Sequence, residues 1–374
     1  MQNKLFEIEQ LLMELCRIPA PSNHEEFRAE FCLRWFRENC GEYGKKAFID
    51  DALNVVMELN LEENADIRIV CAHTDTVFPE MVPFTPIKKD GRIYCPGVGD
   101  DTANLALLMI AAKDLIASGK EIKNLVIAAN SGEEGLGNLK GTKALMQRYG
   151  SRVSELVTLD GGYDSIVTEA VGSGRYRVCV KTEGGHSFGE FGKRNAIAVA
   201  SSLISSLYGV KVPKVGSSKT TYNVGMITGG TSVNTIAQDC EFLLECRSDN
   251  AECLKKMQRI FENMITAFNE SISGEGQNGV TMETVGIRPC SEIDPAKEAA
   301  VAEKYAALLK RHTGKDVSFG SASTDCNIPL SMGIPAVCFG GYSGHGAHTR
   351  EEYIEIESMK MGYAVVLDVL SMSF

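Results

Sequence analysis

The chain has 374 residues, 44% of them hydrophobic and 23% charged, and its formal net charge at pH 7 is −11. These values are typical of a globular protein, and the length favours two domains over one. The acidic balance, without a stripe of lysine or arginine, argues against nucleic acid as a partner. No apolar run approaches the roughly 20 residues that span a membrane, so we expect no membrane partner.

The first part of the chain alternates helical and strand-like patterns. Residues 1–19 mix charged side chains with spaced leucines, which predicts an amphipathic helix rather than a signal peptide. Apolar runs at 67–72, 124–130 and 155–160 predict strands, and residues 102–119 predict a helix that ends at a glycine. This alternation is typical of an α/β fold with a largely parallel sheet flanked by helices.

A second pattern occupies residues 174–287, where the predicted order is β-α-β-β-α-β. That order is typical of a ferredoxin-like α+β domain. After it the chain returns to a helix and an apolar strand. We therefore predict one domain made of 1–173 and 288–374, built around a single sheet, with 174–287 inserted into it.

The twelve cysteines are scattered, and no C-x-x-C pair occurs among them. In a chain of this length that distribution predicts reduced, mostly buried thiols. The corresponding expectation for location is the cytoplasm.

The heptapeptide CAHTDTV at 71–77 follows an apolar run and places His73 two residues before Asp75. Residues i and i+2 of a strand share a face, so the two side chains emerge together. A metal ligand and the carboxylate that orients it would explain the pair. A histidine that is simply hydrogen-bonded at the end of a strand would explain it as well.

Other acidic and imidazole side chains follow apolar strands or lie in glycine-bounded loops. They are Asp100, Asp101, Glu133, Glu134, Asp160, His345 and His348. Taken singly, the adjacent glutamates also fit a solvated turn, and the adjacent aspartates fit a helix N-cap. Because the strand ends of an open α/β sheet meet at one crevice, we expect a shared site. Crowded carboxylates need a compensating cation, and with histidines they suit zinc, with manganese or cobalt as alternatives.

Together these motifs resemble the co-catalytic zinc exopeptidases and amidohydrolases, a family that includes peptidase T, aminoacylase and carboxypeptidase G. The resemblance covers almost the whole chain, including the inserted domain. It implies an enzyme that hydrolyses an amide bond with two divalent metal ions, and a lid domain that forms a homodimer. The five metal ligands it implies are His73, Asp100, Glu134, Asp160 and His348. Asp100 would be shared by both ions.

The resemblance also implies roles beside the ligands. Glu133 would be the general base, and Asp75 would orient His73. The EGGHSFGE segment gives His186 the role of oxyanion donor across a dimer interface. Two further residues of the inserted domain would contact the substrate, Asn234 and Arg247.

The chain departs from the family pattern at one position near the shared aspartate. The family commonly has a lysine two residues after that aspartate, where this chain has Thr102. No ligand is lost, but the charge next to the ligands and the start of the following helix differ from the family pattern. Asp101 and His345 carry no ligand role in the family.

Three functions remain open from the sequence. The first is an exopeptidase, specifically an aminopeptidase of di- or tripeptides, and the second is a deacylase of N-acyl amino acids or a related amidohydrolase. The third is a non-catalytic peptide-binding relative, which predicts the loss of the base or of a ligand, whereas all six positions are intact. Asp160 favours the peptidase T and dipeptidase branches, because deacylases more often have glutamate there.

Overall fold

The computed structural model describes residues 2–272 and 279–372. The chain divides into two compact units, one made of Met1–Ala170 with Glu292–Phe374 and the other of Val171–Ser291. We call them the outer unit and the inserted unit. Within the described residues, no helix has both the length and the apolar character needed to cross a membrane. The twelve cysteines, all of them described, carry thiols rather than disulfides.

The regular elements of the described residues are numbered here in chain order. The α-helices are α1 (Gln2–Cys16), α2 (Glu26–Asn39), α3 (Gly41–Lys45), α4 (Asn104–Ala117), α5 (Lys140–Tyr149), α6 (Ala196–Leu207), α7 (Ala251–Ile272), α8 (Pro295–Thr313), α9 (Asn327–Ser331) and α10 (Met359–Ser371). The strands of the first half are β1 (Phe48–Ile49), β2 (Val55–Leu59), β3 (Ile67–His73), β4 (Ile87–Lys89), β5 (Arg92–Tyr94), β6 (Leu125–Asn130), β7 (Val153–Thr158), β8 (Ser165–Ala170) and β9 (Gly172–Lys181). The remaining strands are β10 (Gly185–His186), β11 (Thr220–Gly229), β12 (Thr235–Ile236), β13 (Asp239–Ser248), β14 (Gly279–Arg288), β15 (Ser318–Ala322), β16 (Ala336–Cys338), β17 (Gly344–His345) and β18 (Tyr353–Glu355).

The outer unit is built on an eight-stranded sheet in the order β1-β2-β6-β3-β7-β16-β8-β15. Its four central strands, β6, β3, β7 and β16, run parallel. Every residue of β3 is buried, and successive side chains enter opposite cores: Val70 packs with α1, α4 and α10, whereas Cys71 packs with α5. Helices therefore cover both faces, which confirms the predicted α/β fold with a largely parallel sheet.

Helix boundaries follow from local side-chain chemistry. Helix α8 begins after Asp294, whose carboxylate accepts a hydrogen bond from the backbone N–H of Ala296 at 2.9 Å, and it has proline at its first position. It ends at Gly314, which adopts a left-handed conformation with φ of 71°. Asn195 caps α6 in the same way as Asp294 caps α8.

The outer unit also contains a four-stranded antiparallel sheet in the order β17-β18-β5-β4, so the expectation of a single sheet was wrong. Its strands are two or three residues long, and β4 is exposed throughout. Such short and exposed strands leave no periodic pattern of apolar residues, and sequence alone does not reveal them.

The inserted unit has a four-stranded antiparallel sheet in the order β11-β13-β9-β14. Helices α6 and α7 pack on one face of this sheet around a core that includes Tyr176, Phe242 and Phe261. The chain order β9-α6-β11-β13-α7-β14 is the β-α-β-β-α-β order expected of the ferredoxin-like domain. Strand β11 lies at the sheet edge and exposes Met226 and Ile227.

Candidate metal centre

The parallel strands bring the predicted residues of the outer unit to one edge of the sheet. Strands β3, β6 and β7 end at His73, Asn130 and Thr158, and they run in the same direction. The segments that follow them carry Asp75, the two adjacent glutamates and Asp160. Strand pairing thus explains why residues distant in sequence meet in space.

Three groups of potential ligands form at this edge among the described residues, and the two that contain Asp100 are those predicted from the sequence. The first is His73 with Asp100 and Asp160, and the second is Asp100 with Glu134 and His348; within each group the ligand atoms all lie within 4.8 Å of one another. Oδ1 of Asp100 lies 3.1 Å from Nε2 of His73, and its Oδ2 lies 3.0 Å from Nε2 of His348. Asp100 therefore offers one oxygen to each imidazole, which is the arrangement of a ligand shared by two sites.

Charge crowding in this cluster fits divalent cations. Burial, together with the neighbouring charge of Asp100, raises the pKa of Asp160 to about 7. Hydrogen bonds from His348 to Asp100 and Glu134 raise the pKa of that imidazole to about 10. The crowded carboxylates thus favour a positively charged group beside them. Nitrogen and oxygen donors of this kind bind zinc, manganese or cobalt.

Asp75 connects the histidine strand to the two glutamates. Its buried carboxylate accepts backbone N–H bonds from Glu133 and Glu134, each at 2.9 Å, and a hydroxyl bond from Ser22 at 2.7 Å. Nδ1 of His73 lies 3.0 Å from the backbone oxygen of Asp75 and 3.5 Å from its carboxylate. Because a carbonyl only accepts, Nδ1 carries the proton, and Nε2 is left to bind a cation. The ring of His73 is thus oriented mainly by the backbone oxygen of Asp75, which is closer to it than the carboxylate of Asp75.

Glu133 and Glu134 differ in their surroundings although they are adjacent and both buried. Nε2 of His348 lies 2.9 Å from Oε1 of Glu134, so the second glutamate faces the second ligand group. Glu133 shares a separate group with His73 and Glu134. Glu133 is therefore close enough to act on a molecule bound beside the ligands.

Asp101 and Thr102 form hydrogen bonds with the backbone of the segments that carry His73 and Asp100. Asp101 accepts a bond from the backbone N–H of His73 at 3.0 Å, and Thr102 donates to the carbonyl of Gly97 at 2.5 Å. Nη1 of Arg28 lies 3.3 Å from the Thr102 hydroxyl and donates to the carbonyl of Thr74 at 2.8 Å. A buried arginine from α2 thus brings positive charge to the side chain of Thr102.

Sequence reasoning missed Arg28 and two buried carboxylates. Glu352 accepts backbone N–H bonds from the segment that carries Asp100. Asp325 accepts bonds from the side chains of Asn130, at 2.6 Å, and Thr142. The only signal for Arg28 was its place four residues before Cys32, on the buried stripe of an amphipathic helix. His345, in contrast, is exposed and belongs to neither ligand group.

The inserted unit brings two of its three predicted residues together. Nδ1 of the exposed His186 accepts backbone N–H bonds from Phe188 at 3.3 Å and Gly189 at 3.2 Å, so the ring proton is on Nε2. The backbone N–H of Ser187 donates to the carbonyl of Asn234 at 3.0 Å, which keeps the two segments adjacent.

Arg247 lies apart from this pair. It is the ninth residue of β13, roughly 25 Å along the strand from Asp239, whereas the strand of His186 pairs with Thr235 and Ile236, which precede β13. Nε and Nη2 of Arg247 donate to the carboxylate of Glu245 at 2.6 and 3.2 Å. Within one inserted unit, Arg247 therefore cannot contact the same small molecule as His186 and Asn234.

Comparison with known proteins identifies relatives over nearly the whole chain. The family described as Peptidase family M20/M25/M40 matches residues 69–372. The uncharacterized protein YqjE of Bacillus subtilis is 26% identical, with 99% of each chain covered. Acetylornithine deacetylase of Myxococcus xanthus is 24% identical over 79% of this chain and 76% of its own. The crystal structure of a tripeptidase from Staphylococcus aureus superimposes with a TM-score of 0.73 at 23% identity, covering 98% of this chain and 97% of the tripeptidase.

Proposed function

This chain belongs to peptidase family M20/M25/M40, a family of dinuclear metal hydrolases, and we propose that it is an aminopeptidase of di- and tripeptides. Family membership makes the protein a hydrolytic enzyme. The observation that carries the hydrolytic centre of this proposal is the position of Asp100 between the imidazoles of His73 and His348, at 3.1 and 3.0 Å. It supports two adjacent cation sites, with all of their ligands present.

Each ligand group supports one divalent ion, for which we propose zinc. His73, Asp100 and Asp160 would hold the first ion, and Asp100, Glu134 and His348 the second. When bound, such ions polarise a carbonyl oxygen and lower the pKa of water towards about 7.

The protein's own groups carry the proton transfers. Glu133, whose backbone is fixed by Asp75, takes the proton of the attacking water and delivers it to the leaving amine. His186 presents an N–H at Nε2 and donates it to the oxyanion that develops on the scissile carbonyl.

We further propose that His186 acts in the partner subunit of a homodimer. The separation of Arg247 from His186 and Asn234 along β13 supports this, because a small substrate that contacts all three needs two chains. The exposed edge strand β11 and helix α6 are the surface we propose for the dimer. An edge strand with exposed Met226 and Ile227 is suited to pairing with its symmetry-related copy.

The proposed substrate has a free amino terminus. The carboxylates clustered at the site favour an ammonium group over a neutral acyl cap. Glu245 accepts bonds from both Arg247 and Arg175, so these three residues retain one net positive charge that would attract a terminal carboxylate. The twelve thiols support a cytoplasmic location.

A second candidate is a deacylase of N-acyl amino acids. The observation in its favour is the similarity to an acetylornithine deacetylase over 79% of this chain. The two candidates use the same metal centre and the same base, and they differ in the group on the acyl side of the scissile bond.

A substrate panel separates the two candidates. Apoprotein reloaded with zinc, manganese or cobalt is assayed on trialanine, dialanine, their N-acetylated forms and N-acetylalanine. We expect N-acetylation of the peptides to reduce kcat/KM by at least about tenfold, or 1.4 kcal/mol of transition-state stabilisation. Faster turnover of the acetylated compounds than of the free peptides would replace the aminopeptidase by the deacylase.

A further inference from the structure

Glu352 is a buried carboxylate, 2% exposed, that accepts three backbone hydrogen bonds from the segment carrying Asp100. Its Oε2 accepts the backbone N–H of Gly97 at 2.6 Å, and its Oε1 accepts those of Gly99 at 2.9 Å and Asp100 at 2.8 Å. Both oxygens of the side chain therefore act as acceptors for this one segment. Three hydrogen bonds to one carboxylate fix the path of the segment.

The segment is shaped to allow this approach. A side chain at Gly99 would place its Cβ 2.8 Å from Oε1 of Glu352 and 2.7 Å from the hydroxyl of Tyr342, which leaves no room for one. Gly97 has φ of 73°, a conformation that glycine adopts without strain. Both glycines are thus needed for the backbone N–H groups to reach one carboxylate.

Glu352 also belongs to the segment that carries the second imidazole. It follows His348 by four residues and directly precedes β18, which pairs with β5. The backbone carbonyl of Glu352 accepts a bond from Cys95 at 3.1 Å, at the start of the Asp100 segment. One residue therefore joins the segment of the shared ligand to the segment of His348.

We propose that Glu352 is a positioning residue that holds Asp100 between the two imidazoles and thereby sets the metal affinity of the centre. This inference rests on the proposed function, because it assumes that Asp100 is the shared ligand. Glu352 belongs to no group of potential ligands among the described residues, and it acts through the backbone of Asp100. A loss of its bonds lets Asp100 move away from His73 and His348.

The test is a titration of apoprotein with Co²⁺, followed by calorimetry and by visible absorption. In Glu352→Gln an NH₂ group replaces one oxygen and cannot accept a backbone N–H. We expect the variant to keep its far-UV circular dichroism while its Co²⁺ affinity falls at least about tenfold. Glu351→Gln is the matched control, because Glu351 is adjacent and exposed. We expect the control to match the wild type in affinity and spectrum.

The outcomes separate the inference from the proposed function. Equal Co²⁺ affinities in Glu352→Gln and Glu351→Gln would overturn the role of Glu352 and leave the metal centre standing. Failure of the wild type and the control to bind Co²⁺ would refute the proposed function itself. If Glu352→Gln does not fold, Glu352→Asp keeps the charge and withdraws it by one methylene. A folded Glu352→Asp with weakened Co²⁺ binding supports the inference, and either unfolding or unchanged affinity contradicts it.

Discussion

Oδ1 of Asp75 accepts a hydrogen bond from the backbone N–H of Glu133 at 2.9 Å, although 58 residues separate the two in sequence. The other oxygen of the same carboxylate accepts the N–H of Glu134 at the same distance. Two adjacent glutamates are thus fixed by one buried aspartate from the histidine strand. Of the two, Glu134 contacts the imidazole of His348, at 2.9 Å, which makes different roles possible for these neighbouring residues.

This geometry predicts that the two glutamates respond differently to substitution. Glu133→Gln keeps the size of the side chain but cannot accept a proton, so we expect turnover to fall on the order of 10²–10⁴-fold. Both metal ions should remain, as measured by elemental mass spectrometry after gel filtration. Glu134→Ala removes a ligand and should reduce occupancy at the second site. Equal metal loss in both variants would contradict the assignment of the base.

The oxyanion role of His186 is tested with a heterodimer in which each chain carries a different substitution. We expect His186→Ala alone to lower turnover on the order of 10²–10³-fold, as loss of such donors does. A heterodimer of one Glu133→Gln chain and one His186→Ala chain, purified through two different tags, then contains one intact site. Its activity should be about half that of the wild type. A heterodimer as inactive as both parent homodimers would show that His186 does not act across subunits.

Glu298 predicts a pH dependence of stability away from the metal centre. Its side chain is 6% exposed, one oxygen accepts the N–H of Ala336 at 3.1 Å, and the other has no hydrogen-bond partner among the described residues. Burial raises its pKa from the ordinary value of 4.5 to about 7. The folded protein therefore binds more protons than the unfolded chain in this window. Stability from this group is complete below the unfolded pKa and is lost as pH rises through 7.

Glu298→Gln removes this ionisation while keeping the shape of the side chain. Between about pH 5 and pH 8 we expect its free energy of unfolding to rise relative to that of the wild type by about 1–3 kcal/mol. Denaturant unfolding at the two pH values measures the difference. The control is Glu303→Gln, an exposed glutamate on the same helix, which should track the wild type. If the free energies of unfolding of Glu298→Gln and the wild type differ by the same amount at both pH values, the raised pKa of Glu298 is refuted.

The sequence predicts that His73, Asp160 and the adjacent glutamates share one site because they follow strand ends. These side chains follow apolar runs, and parallel strands bring such ends together wherever they lie in the chain. His348 follows no such strand. It is a candidate because it lies in a glycine-bounded loop, its ligand role comes from the resemblance, and the structure places it beside Asp100 and Glu134.

Glu352 and Arg28 could not be predicted because most of their partners are backbone groups. Glu352 bonds the N–H groups of a segment some 250 residues earlier, and Arg28 bonds the carbonyls of Leu15, Ile18 and Thr74. Backbone groups are alike in every residue, so no residue type marks such a partner in the sequence. The short strands of the second sheet escaped for a related reason, since two or three residues are too few to show a period.

The central claim is that two metal ions share Asp100, and anomalous diffraction from crystals of zinc-loaded protein tests it most directly. The account predicts two peaks at the zinc absorption edge, separated by about 3.5–4 Å as in other two-metal sites. One should lie among His73, Asp100 and Asp160, and the other among Asp100, Glu134 and His348. A single peak, or peaks away from these side chains, would contradict the account.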